Sequence, residues 1–206
     1  APASVEDEKI TLTGIDVFEQ GSWRMEPTLL PAITDIAFAH NKLFYAADGG
    51  GLAVQSPTNT TVYNQGNSTL LTGVDGVRIS AIDQGSTGLW VANYGAITPL
   101  HVLKNDNTWQ AFLPAGSVQQ LEDIIVDSNE NIWMQTTTNN GARVYDPVRG
   151  TTAIITNKKN DLSGLPGTQV TSMVMDRTNM VWLGTDNGVA YIPAPEDAFA
   201  SRVDIV

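Results

Sequence analysis

The sequence predicts an all-β fold, a β-propeller with about four recognisable four-stranded blades, on three observations. Aromatic anchors return with a period in the forties: Phe44, Trp90, Trp133 and Trp182 are spaced by 46, 43 and 49 residues. That is the length of four short strands with their turns. Around each anchor the same order recurs: an apolar strand, a tight turn, a strand with the aromatic second, a Gly- or Asn-rich loop, and a third strand. Finally, only 16% of the 206 residues are charged while 42% are apolar, which favours strands and turns over surface helices.

The elements follow in order. Residues 1–30 form a partial blade: ITLTGIDVFEQGSWRMEP reads as two strands without a preceding inner pair. Blades follow near 31–72, 73–117, 118–166 and 167–206. Their inner strands A are Ile33 to Phe38, Val77 to Asp83, Leu121 to Asp127 and Val170 to Asp176. These runs are nearly continuously apolar, as expected of strands flanked by neighbouring blades. Strands B begin at Leu43, Leu89, Ile132 and Val181. Strands C are LAVQS, LHVLK, ARVYD and VAYIP, and are expected to alternate between buried and exposed. Strands D, as in TTVYNQ, TWQAFL and TAIITN, are short and more polar, as suits an outer strand. No clear strand D follows VAYIP. The chain therefore starts and stops inside a blade. Either the terminal strands complete each other in a small four-bladed ring, or the chain is part of a larger propeller, with blade edges open or paired with a second copy. The larger propeller is preferred, because four blades is the low end of the range.

Composition narrows the function. The net charge is −11, with scattered Lys and Arg, which argues against nucleic acid or an anionic membrane as partner. The absence of Cys excludes disulfides, thiol catalysis and Cys-ligated zinc. No apolar run reaches the length of a membrane span.

The recurring residues read first as architecture. Asp83, Asp127 and Asp176 stand before the A–B turns, where a carboxylate accepts backbone N–H groups two or three residues on. DSNEN at Asp127 starts like a calcium loop, but Ile132 and Thr138 occupy the places of the required Gly and Glu, so no metal is assigned. Trp90, Trp133 and Trp182 are expected to fill the gaps between blades. Trp23 and Trp109 lie in outer strands.

The B–C loops share one rim with the D–A connections. They carry Asp48, Tyr94, Asn139, Asn140, Asp186 and Asn187, which form the candidate ligand-binding set for a sugar or a peptide. The competing reading is that Gly and Asn stand there because tight turns need positive φ. Catalytic signatures are lacking: HExxH, GxSxG and paired-His spacings do not occur. His40 falls in an A–B turn and His101 in a strand C. The chain is expected to be non-catalytic and to need no cofactor.

The units resemble the two-component regulator propeller repeat, most fully at SMVMDRTNMVWLGTDNGVAYI, Ser172 to Ile192. DIIVDSNENIWMQTTTNNGARVY matches less well, with Gln135 in place of the usual Gly. AIDQGSTGLWVANYGAI is weaker again, and the Phe44 unit is degenerate. Two branches of that family are relevant. In one, the repeats form periplasmic sensors of hybrid two-component systems that detect oligosaccharides. In the other, they form propellers of PorZ-like surface proteins of type IX secretion. The ending GTDNGVAYIPAPEDAFASRVDIV resembles the late second propeller of the PorZ-like branch, with a short DxF element at Asp197, Ala198 and Phe199. That resemblance implies an exported protein, at the bacterial cell surface or in the periplasm. It implies anionic lipopolysaccharide and secretion-system proteins as partners, and further blades outside this chain. A propeller lyase or glycosidase is the alternative from another class.

Overall fold

The computed structural model describes residues 14–39, 42–56, 58–116, 119–137, 141–156, 164–200 and 203–206. It begins with a hairpin, β1 (Gly14–Glu19) and β2 (Ser22–Pro27). Gln20 and Gly21 both take positive φ, the two-residue turn whose twist suits a hairpin.

Three antiparallel four-stranded meanders follow. The first is β3 (Ile33–Ala39), β4 (Lys42–Ala47), β5 (Gly51–Gln55) and β6 (Thr60–Tyr63). The second is β7 (Ile79–Gln84), β8 (Gly88–Asn93), β9 (Leu100–Lys104) and β10 (Trp109–Phe112). The third is β11 (Leu121–Val126), β12 (Ile132–Thr136), β13 (Ala142–Asp146) and β14 (Thr151–Ile155). The last sheet has three strands, β15 (Val170–Met175), β16 (Val181–Thr185) and β17 (Gly188–Ile192), and a 3₁₀ helix at Pro195–Phe199. The inner strands meet in the order β3, β7, β11, β15, so the sheets stand side by side as blades of an open, partial propeller. The chain then returns to the last blade. Tyr191 and Val206 exchange backbone hydrogen bonds of 2.9 and 3.0 Å, which places the final residue where a strand D would start.

Each junction is made the same way. The B-strand aromatic of one blade lies on what we term its forward face and packs into the backward face of the next blade. Phe44 packs towards Ile82 and Val91, Trp90 towards Ile124 and Met134, and Trp133 towards Met173 and Leu183. Ile15 of the hairpin packs in turn on the backward face of the first blade, beside Tyr45 and Ala53.

Burial differs from the sequence expectation in two ways. The most buried strands are the central ones: every residue of β8, β12 and β13 is buried. Strand C therefore does not alternate here, because blades cover both of its faces. The inner strands are mixed instead; β3 alternates between intermediate and exposed positions. In β3 the exposed Ile36 and Phe38 stand opposite Tyr45 and Leu43, on a face that the hairpin covers only in part.

Every inner strand also carries a register irregularity at the same place, between Ile33 and Asp35, Ile79 and Ala81, Leu121 and Asp123, and Val170 and Ser172. A bulge re-aims the extra residue. Thr34 Oγ1 donates to Ile79 O and Ser80 Oγ to Leu121 O, both at 2.7 Å, so the bulge hydroxyl stitches one inner strand to the next.

The Asp-before-turn device is present twice. Asp127 accepts the backbone N–H groups of Asn129 and Asn131, the Asn131 amide and, at 3.0 Å, the Trp133 indole N–H. Asp176 does the same with Thr178, Met180 and, at 2.8 Å, the Trp182 indole. These bonds engage both oxygens of each carboxylate within its own hairpin. Asp83 corrects the expectation. It lies inside β7, and its Oδ2 accepts the N–H of Val126 in the next blade at 2.7 Å. The cause is its register. Asp83 is paired directly opposite Trp90, one residue before the ladder ends, whereas Asp127 and Asp176 follow the last ladder pair and sit in the turn. Trp90 accordingly has its buried indole N–H unpaired.

Candidate functional site

The rim of B–C loops and D–A connections holds a groove of about 440 Å³. Its floor comes from the bulge residues Thr34, Ser80 and Glu122, and its walls from Asp48, Arg78 and Tyr94. Arg78, just before β7, pairs with Asp48 through Nε and, at 3.3 Å, through Nη2. Its guanidinium lies 4.6 Å from the centre of the Tyr94 ring. The hydrogen bond that Arg78 donates to Asp48 holds the Arg78 pKa above its ordinary value. Buried Asn93 fixes the frame: its amide donates to Arg78 O at 3.0 Å and its Oδ1 accepts Leu71 N–H at 2.7 Å. Glu122 is exposed on the floor and accepts the Gln135 amide at 3.1 Å.

The glycines of these loops are architectural. A Cβ at Gly51 would sit 2.2 Å from Tyr63 O, and one at Gly141 would sit 1.8 Å from Ile155 O. Both glycines open a strand C pressed against strand D, and both take positive φ.

Of the sequence-derived set, the structure brings Asp48 and Tyr94 to one groove. Asp186 and Asn187 lie in the last blade and do not line it. Asp186 accepts the N–H groups of Thr168 and Gln169 at 2.8 and 3.0 Å, and Asn187 donates to Pro166 O at 3.1 Å. Asn139, Asn140 and His40 lie outside the described residues. His101 is fully buried in β9, bonded to Thr69 Oγ1 and Thr98 O, and burial pushes its pKa down to about 4. It is a neutral structural histidine.

Sequence reasoning missed Arg78 and the bulge residues, and it missed a row of carboxylates on the inner strands. Asp35 Oδ2 accepts Ile82 N–H at 2.8 Å, and Asp83 bridges to Val126 as above. Asp123 accepts its neighbour Ile124 N–H at 2.9 Å. Burial pushes the Asp83 carboxyl up. Burial, and then the charges of Asp35 and Asp83, pushes Asp123 up to about 6. Acidic residues within an otherwise apolar inner strand were the available signal. No described helix is long and apolar enough to cross a membrane.

Comparison with known proteins fits this architecture. Residues 164–187 match the model of the two-component regulator propeller family. The chain carries a two-component regulator propeller repeat. The matched stretch of this repeat includes the Asp176–Trp182 clamp and the Asp186 loop. No curated protein sequence matches the chain. Solved structures do. PorZ, an essential bacterial surface component of the type-IX secretion system of Porphyromonas gingivalis, superposes with a TM-score of 0.68 at 15% identity, over 84% of this chain and 26% of that one. Virginiamycin B lyase from Staphylococcus aureus, solved with quinupristin, gives 0.67 at 10% identity, over 95% and 62%. A chain of a nidogen/laminin complex gives 0.63 at 13% identity, over 94% and 74%. The chain thus spans about a quarter of the PorZ chain. At these identities the likeness is one of fold.

Proposed function

We propose that the chain is a non-catalytic binding propeller of an exported, PorZ-like accessory protein of type IX secretion, acting at the cell surface or in the periplasm. The observation that carries the binding role is the groove between the Asp48 and Tyr94 loops. It offers a guanidinium, an aromatic ring, carboxylates and amides on a rigid frame, the mixture that recognises a polar ligand such as an oligosaccharide or the glycan of lipopolysaccharide. Secretion-system proteins are the accompanying partners. The family repeat and the PorZ-like fold support the placement. A periplasmic oligosaccharide sensor would use the same groove.

Calorimetric titration of lipopolysaccharide-derived oligosaccharides into the chain tests this reading. Binding that Arg78→Ala and Tyr94→Ala each weaken about tenfold or more, with the fold intact, supports it; the scale is that of a lost interface anchor. Saturable binding untouched by both variants would move the site away from the groove. A lyase or glycosidase is the second reading, favoured by the inner carboxylates and the raised Asp123 pKa. Against it, Asp35 and Asp83 already spend an oxygen on neighbouring blades. Glycan turnover lost in Asp123→Asn would establish the enzyme instead.

A further inference from the structure

One register position of strand C is small in two blades and polar in the two between them. It is the residue before the partner of the anchor aromatic: Ala53, His101, Arg143 and Ala190. All four are buried, on the face turned to the preceding blade. His101 is satisfied there, because the D–A connection of the preceding blade brings Thr69 Oγ1 to 2.9 Å and Thr98 O takes the other ring nitrogen. Arg143 reaches the next such connection at Gly116, where a Cβ would lie 3.5 Å from Nη1. A glycine has no side-chain acceptor to offer.

Among the described residues no hydrogen bond or ion pair reaches the Arg143 guanidinium, and its Nε is wholly buried. Arg24, Arg78 and Arg149, all less buried, each meet a carboxylate. Arginine keeps its charge and only donates, and a buried charge without a partner is costly. Two other groups share the junction of the second and third blades. Thr152 Oγ1 stands on the same face, opposite Tyr145, and Trp90 Nε1 enters from the second blade; both are buried without a partner. All three groups can donate a hydrogen bond, so the junction lacks an acceptor. Its rim is open at the arginine: Gly116 is exposed, and Ile154, paired opposite Arg143, is 50% exposed.

We propose that Arg143 anchors an oxyanion site at this junction. A carboxylate or phosphate group enters between Gly116 and Ile154 and accepts hydrogen bonds from the guanidinium, whose planar fork matches either group. A water would supply an acceptor and leave the charge unpaired. The site shares no residue with the groove of Asp48, Arg78 and Tyr94 and does not depend on it. A free anion or the acidic substituent of a larger ligand supplies the same group.

NMR of the arginine Nε–H groups tests the proposal, with sodium phosphate, sodium acetate or sodium glucuronate replacing sodium chloride at constant ionic strength. The Arg143 signal, identified by its loss in Arg143→Met or Arg143→Lys, should move saturably. Saturation by phosphate alone identifies a phosphate group, by acetate and glucuronate a carboxylate, and by glucuronate without acetate a sugar acid. The anion that saturates the signal should also raise the melting temperature of the wild type. Arg143→Met should melt at least as high as the wild type in chloride, since it removes an unpaired buried charge, and should lose that rise. Arg78→Ala should keep the rise, which separates this site from the groove. Should Arg143→Met fold poorly, Arg143→Lys, which loses the fork and keeps the charge, is expected to diminish the rise. No saturable shift of the Arg143 signal with any of the three anions overturns the proposal. So does a rise in melting temperature that is unchanged in the Arg143 variants.

Discussion

Trp133 and Trp182 stand in the same local structure and in different surroundings. Each is second in a strand B, and each gives its indole N–H to an aspartate six residues earlier. Trp133 is wholly buried between two blades, while Trp182 is 36% exposed on the end of the arc. The turn, the clamp and the strand are written into the repeat. The burial is supplied by the neighbour. A repeat fold separates these two contributions more clearly than most globular folds, because each unit contacts only the units beside it.

The comparison can be broken most forcefully at Trp133. Trp133→Ala should cost about 3–5 kcal/mol in urea denaturation, the range for a fully buried aromatic that leaves a cavity. Asp127→Ala should cost about 1–3 kcal/mol, because it orphans the buried Trp133 indole and the N–H of Asn131. Trp182→Ala should cost about 1–2 kcal/mol, since only one side of its ring is covered by its own chain. A Trp182→Ala cost equal to that of Trp133→Ala would mean that the neighbour adds nothing.

Two titrations sharpen the contrast without deleting a ring. Asp176 is held down to about 2, first by the Thr178 hydroxyl and next by the Trp182 indole. Its stabilising contribution is present above the ordinary carboxylate pKa and is lost as pH falls through about 2. Trp182→Phe removes the indole donor and should raise that pKa, read from the Asp176 carboxyl carbon by NMR. Asp123 runs the other way. Its folded pKa, about 6, lies above the ordinary 3.8. The chain is favoured below pH 3.8 and loses that increment as pH rises through 6. Asp123→Asn should flatten this part of the stability–pH curve and leave stability near pH 3.5 unchanged. A variant curve parallel to the wild type would show that Asp123 is not the group responsible.

The sequence made the strands legible because turn chemistry and aromatic spacing repeat, and both are local. Local details such as the hairpin at Gly14–Pro27 followed from the same signals. The roles of single residues were harder to read. Asp83 resembles Asp127 until the register is known: it pairs opposite Trp90 inside the ladder, while Asp127 lies beyond the last pair, in the turn. Arg78 falls in the run expected as strand A but stands just before β7, and nothing local announces its meeting with Asp48 and Tyr94. The bulges carry no sequence mark either, since Thr34, Ser80, Glu122 and Thr171 share only a position. Exposure of Trp182 was not legible at all, because it depends on what stands beside the blade.

Hydrogen exchange of the indole N–H groups, followed by NMR on tryptophan-labelled protein, tests the central claim most directly. The Trp133 indole should exchange only with global unfolding. The Trp182 indole should exchange through local opening, far faster than Trp133. Equal protection of the two indoles would contradict the account, because the same clamp would then give the same burial without a neighbour.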